Sequence, residues 1–164
     1  AVADIVKETI GSLGENMQIK RFARIKSGDY VTNYIHPGDK LGVMVEISGG
    51  SASDDRFRSF ARDIAMQVAA ASPMCVRRDE LDQTVLAKER EIYRQQALNE
   101  GKPEKIIDKI ADGKIEKFFS EVVLMEQLFV KDNDKTIGGL VKEVSTAVGS
   151  PITIKQFVRF RLGE

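Results

Sequence analysis

The chain has 164 residues, 42% hydrophobic and 30% charged, a balance ordinary for a globular protein rich in exposed helix and a length that fits one domain, or one domain with an appendage. Lys and Arg number 25, as do Asp and Glu, so the formal net charge is zero and no global field favours nucleic acid or an anionic membrane. The single cysteine, Cys75, excludes an internal disulfide and suits a reducing compartment; no apolar run reaches the roughly 18 residues of a membrane span.

In chain order, Val2, Ile5, Val6, Ile10 and Leu13 recur at helical spacing and predict a short amphipathic helix ended by Gly14. The sequence starts at Ala1 within this periodicity, so further chain upstream is expected. The next run, MQIKRFARIK, alternates polar and apolar with a phase slip between Ile19 and Phe22, which predicts a strand with a bulge. Tyr30 to Ile35 and the alternating Leu41, Val43, Val45 and Ile47 predict a β-hairpin across Pro37-Gly38-Asp39. Ser48-Gly49-Gly50-Ser51 reads as a flexible break.

Asp54 and Asp55 suit the positive end of a helix dipole. The stripe Phe57, Phe60, Ala61, Ile64, Ala65, Val68 and Ala69 predicts a helix packed across the sheet and stopped near Pro73. A charged helix is expected from about Arg78 to Asn99, with a sparse stripe of Leu81, Val85, Ile92 and Leu98. Gly101-Lys102-Pro103 turns it into a second helix from Glu104 to about Phe119, striped by Ile106, Ile107, Ile110, Ile115 and Phe118. Two helices joined by so short a turn are antiparallel neighbours, and their charge predicts a projecting hairpin. After the apolar run from Val122 to Val130, Lys131 to Lys135 reads as a loop and Thr136 as an N-cap. The stripe Ile137, Leu140, Val141, Val144 and Val148 predicts a last helix, and PITIKQFVRFRLGE a last strand.

The two ends of the chain repeat one another. Residues 6–29 lie over residues 141–164 without a gap, matching Val6 with Val141, Gly14 with Gly149, Ile19 with Ile154, Phe22 with Phe157 and Arg24 with Arg159. Two copies make a duplicated helix–strand unit, not a solenoid. The expected organisation is 1–28 as the closing unit of a preceding subdomain, 29–77 with 121–164 as a complete core subdomain, and 78–120 as the helical hairpin. The fold class is α+β: a three-stranded antiparallel sheet packed on helices, with that hairpin protruding.

No enzyme constellation emerges. His36 is the only histidine, so no histidine pair or triad is available for metal or nucleophile work; beside a hairpin turn it reads as an exposed residue. Cys75 reads as a small packed side chain. Asp132-Asn133-Asp134 lacks the later glycine and glutamate of a calcium loop, and Gly49-Gly50 lacks the Gly-Lys-Thr of a phosphate cradle. Lys20, Arg21, Arg24 and Lys26 read as a solvated face. No cofactor and no metal are expected, and the residues alone point to a binding protein.

Several runs carry a sharper resemblance. Gly101-Lys102-Pro103, Lys109-Ile110, Gly113-Lys114 and Gln127-Leu128-Phe129-Val130 resemble a characteristic stretch of elongation factor Ts, with Leu128 where the family usually carries proline. Gly14-Glu15-Asn16, Tyr34-Ile35-His36 with Gly42-Val43-Met44-Val45, and Asp63 to Ala69 are similar to further family segments, in order along nearly the whole chain; Gln67 stands where the family often has histidine. The resemblance implies a guanine-nucleotide exchange factor for elongation factor Tu, acting by protein contact and not as an enzyme. By the same resemblance, Gly14, Glu15, Asn16, Tyr34 and His36 are the partner contacts, the hairpin is of a dimerisation type that forms homodimers, and the location is the bacterial cytoplasm, with an organellar matrix or stroma also open. Neither membrane nor direct nucleic-acid binding is expected. The family's N-terminal helical module and its Thr-Asp-Phe-Val segment, thought to disturb the magnesium site of elongation factor Tu, have no counterpart in these residues. The alternative function is a dimerisation or assembly module without exchange activity of its own.

Overall fold

The structure is a computed structural model that describes every residue from Ala1 to Glu164. It begins with helix α1 (Val2–Leu13), followed by β1 (Tyr30–Ile35), β2 (Leu41–Ser48) and α2 (Asp55–Ala71). Helices α3 (Gln83–Asn99) and α4 (Glu104–Val122) come next, then the short strands β3 (Leu128–Phe129) and β4 (Asp132–Thr136), α5 (Ile137–Val148) and β5 (Thr153–Arg161). The expected α+β class and three-stranded antiparallel sheet are both present, in the order β1-β2-β5.

Side chains alternate across a strand, so register decides which residues meet. Val43, Val45 and Ile47 of β2 face Tyr34, Thr32 and Tyr30 of β1 on one side and Arg159, Phe157 and Ile154 of β5 on the other. This face is covered by α2, whose buried Phe57, Phe60, Ala61, Ile64, Ala65, Val68 and Ala69 are the stripe read from the sequence. Helix α5 adds Ile137 and Val141 to the same core. Full burial of each large side chain contributes about 1.5–3 kcal/mol. The capping residues are the expected ones: Asp54 accepts from the amides of Arg56 and Phe57, and Thr136 from that of Gly139.

At the break Ser48-Gly49-Gly50-Ser51 the two glycines run close to neighbouring groups. Gly49 takes φ +88°, and a Cβ there would lie 1.8 Å from the carbonyl oxygen of Pro151. A Cβ on Gly50 would lie 2.1 Å from the Phe57 ring. The glycine pair lets the chain leave β2 against both.

Four expectations are corrected. The strand over 17–26, half of the unit 1–28, does not form; residues 14–27 carry no regular structure. Its helix and cap do repeat: α1 and α5 each have 12 residues and end on a glycine at φ 71°. The difference lies in the neighbours. Ile154 pairs beside Ile47 and is 1% exposed, while its counterpart Ile19 is 61% exposed and Phe22 88%. A strand needs a ladder partner, and this segment pairs with no strand of the sheet β1-β2-β5. Second, the charged helix starts at Gln83, capped by Asp82, because residues 78–80 form a 3-10 turn and Leu81 is extended. Third, α4 runs on to Val122. Fourth, Asp132 to Thr136 is β4, paired with β3 despite its polar composition.

Helices α3 and α4 run antiparallel. Gly101 turns the chain at φ 71°, and Arg90 pairs with Asp112 at 2.8 Å and Asp108 at 3.1 Å. Cys75, Leu81, Ile115, Phe119 and Val123 form a small buried cluster at their base, separate from the main core. Cys75 is thus packed, and burial, then the carboxylates of Glu80 and Asp79, push its thiol pKa up.

Candidate partner-binding surface

The β1–β2 turn is built around His36, whose amide donates to Leu41 O at 2.9 Å and whose carbonyl accepts from Asp39 N at 3.0 Å. Pro37 presets the first turn position and Gly38, at φ 91°, fills the second, where a positive φ is required. The imidazole stands exposed beside half-buried Tyr34, with Tyr34 Oη 3.0 Å from His36 Nδ1. Tyr34 packs on the edge of the core, so a fixed ring positions a solvent-facing one.

Gly14 caps α1, and Glu15 and Asn16 follow it, exposed. Asn16 lines a groove of about 790 Å³ with Ile5 and Val6 of α1, Met17 and Arg21, and Phe160 to Glu164. Phe160 and Arg161 pair with Gly42 and Leu41. Both candidate groups therefore lie toward the turn end of the sheet. Tyr34 and His36 are brought together; neither lines the groove beside Asn16, and neither is hydrogen-bonded to Gly14, Glu15 or Asn16.

Sequence reasoning missed three features. Arg159 shares a cross-sheet row with Tyr34 through Val43; its Nη1 pairs with Glu164 at 3.2 Å, and its Nε is buried without a partner. The match of Arg24 with Arg159 was the only signal. Arg21 lies over the Phe160 ring at 5.0 Å. Glu46 is buried on the sheet face away from α2, accepting from Ser27 Oγ at 2.5 Å and Gln156 Nε2 at 2.6 Å. Those two bonds, Ser27's first, hold its carboxyl below the usual range and tether residues 14–27 to the sheet. No group of three or more His, Cys, Asp or Glu side chains converges, and no helix is long and apolar enough to cross a membrane.

The family model described as Elongation factor TS matches residues 1–164. The chain belongs to the elongation factor Ts family. It is 47% identical over 163 residues to elongation factor Ts of Chlorobium phaeobacteroides (strain BS1), covering 99% of this chain and 56% of that protein. Against elongation factor Ts of Clostridium perfringens (strain SM101 / Type A) it is 49% identical over 165 residues, covering 99% and 54%. The relative from Chloroherpeton thalassium (strain ATCC 35110 / GB-78) is 47% identical over 164 residues, covering 99% and 56%. The chain thus spans about half the length of the curated relatives it matches.

The Gln-x-Phe-Val run of this elongation factor Ts family member is structural. Gln127 is buried, Phe129 joins the main core, and Leu128 is exposed, so leucine in place of proline disturbs no packing.

Proposed function

We propose that this chain docks on elongation factor Tu through the turn end of its sheet and contributes to guanine-nucleotide exchange in bacterial translation. The carrying observation is the family match over every residue. Tyr34 and His36 supply one contact, an aromatic pair on a rigid hairpin, and Gly14, Glu15 and Asn16 a second, separate one. An exchange factor transfers no atoms; it binds the nucleotide-free partner better than the GDP-bound one, and that difference drives release. Residues 1–28 act as the closing unit of a further subdomain, a reading supported by the repeat and by the exposed Ile19 and Phe22.

Exposed Ile92, Leu98 and Ile106 on the hairpin favour a second reading, self-association through α3 and α4. The size-exclusion mass of the chain, with and without elongation factor Tu, separates the two. For the first reading, His36→Ala should change stability by no more than about 0.5 kcal/mol, as exposed substitutions do. It should weaken binding to elongation factor Tu by about 1 kcal/mol, roughly fivefold in Kd. Titration calorimetry measures this. Unchanged affinity with a lowered melting temperature would make His36 a folding residue instead.

A further inference from the structure

The hairpin meets the core at a narrow joint. The chain leaves the core through residues 74–76 and returns through 122–125, and these two runs lie side by side in parallel. Three backbone hydrogen bonds join them: Met74 N to Val122 O at 2.8 Å, Leu124 N to Cys75 O at 3.0 Å, and Met125 N to Val76 O at 3.2 Å. The buried clusters on the two sides are separate, so no continuous apolar core stiffens the joint. A ladder one pair of runs wide resists sliding but is weak against bending, the property of a hinge.

Two adjacent arginines sit on this joint and reach opposite ways. Arg77 Nη2 donates to Ile154 O in β5 at 2.9 Å, and its Nη1 to Glu80 Oε1 at 3.0 Å. Glu80 Oε2 in turn accepts from Val76 N at 2.9 Å. Arg77 therefore ties the departing run to the sheet. Arg78 lies over the ring of Phe119 in α4, 4.2 Å from its centroid. Its guanidinium donates to both oxygens of Glu116 in α4, at 3.1 and 2.8 Å. It also donates to both oxygens of Glu126, at 2.7 Å from Nη2 and in a closer contact from Nε. Glu116 belongs to the hairpin, while Glu126 follows Leu124, a main-core residue.

The geometry points to Arg78 as a positioning residue that locks the hairpin at a fixed angle to the core by bridging Glu116 and Glu126 across the joint. A planar guanidinium suits this role because it can engage two carboxylates bidentately while stacking on an aromatic ring; a lysine ammonium cannot. Each surface pair alone contributes little to stability. The lock is directional: it sets where the hairpin tip points, and its loss leaves core and hairpin folded. The inference stands whether or not the chain docks on elongation factor Tu.

Pulsed electron spin resonance between labels on Lys102→Cys, at the hairpin tip, and Lys142→Cys, on α5, tests it. Both positions are exposed, and the native thiol is buried. The unsubstituted joint should give one narrow distance distribution. Arg78→Gln, and independently Glu126→Gln, should broaden it by roughly twofold or more with unchanged helix content, as a released hinge does. Arg78→Lys should fall between. Distributions as narrow as the parent's in the two glutamine variants would overturn the proposal and assign the stiffness to the ladder and Phe119 packing. If Arg78→Gln fails to fold, Glu126→Gln decides alone, since it cuts only the core side of the bridge.

Discussion

Gln127→Ala is expected to destabilise the fold by about 3 kcal/mol or more, well above the effect of an ordinary substitution. Gln127 is 3% exposed. Its Nε2 donates to Glu121 O at 2.7 Å and Ala71 O at 3.3 Å, and its Oε1 accepts from Gln67 Nε2 at 3.1 Å. Gln67 is fully buried; it also donates to Leu128 O at 3.1 Å and accepts from Val130 N at 2.9 Å. The two amides thus join the C-terminal ends of α2 and α4 to β3. Alanine would leave two carbonyls and one amide donor short of partners, at about 1–3 kcal/mol for each unmet group, and would add a cavity. Gln127→Leu restores volume but not the partners and should recover only a minor part. Urea denaturation measures both as a shift in midpoint at constant m-value. A loss below about 1 kcal/mol for alanine would show that water enters and satisfies the site.

Gly49→Ala should destabilise by about 3 kcal/mol through a different cause, a strained backbone combined with a backbone clash. At φ +88° an L side chain is disfavoured, and its Cβ would lie 1.8 Å from Pro151 O and 2.8 Å from Pro151 C. Relief requires parting the Ser48 end of β2 from the start of β5, where Ser48 pairs with Thr153. Gly113→Ala is the control. It lies inside α4 with nothing within 4 Å of the added Cβ, and should gain up to about 1 kcal/mol in helix propensity. Equal thermal shifts for the two variants would contradict the role given to Gly49.

These two sites show where the sequence stops being legible. The stripes of α2 and α5 are local patterns, so period alone recovers them, as it does β1 and β2. Residues 17–26 have a strand's alternation, but an extended run becomes a strand only beside another, and pattern cannot supply the neighbour. β4 fails in the reverse sense: Asp132 to Lys135 has poor strand propensity, yet pairing with β3 overrides it. Gln67 and Gln127 look like surface residues because polar letters carry no mark of burial. Arg78 reads as the start of a charged helix, since its partners lie 38 and 48 residues away. In the candidate surface, the exposure of His36 followed from its turn; the support from Tyr34 and the row shared with Arg159 required strand register.

The most direct test of the functional account is release of a fluorescent GDP analogue from elongation factor Tu, driven by this 164-residue chain and by a full-length family member. Docking that is equally tight in the GDP-bound and nucleotide-free states shifts nothing. No Asp-Phe pair occurs in this sequence to supply the contact that the family resemblance assigns to disturbing the magnesium site. The chain should therefore bind elongation factor Tu yet accelerate release at least about tenfold less than the full-length protein at saturation. Equal acceleration by the two would contradict the account and route exchange through the surface around Tyr34 and His36 alone.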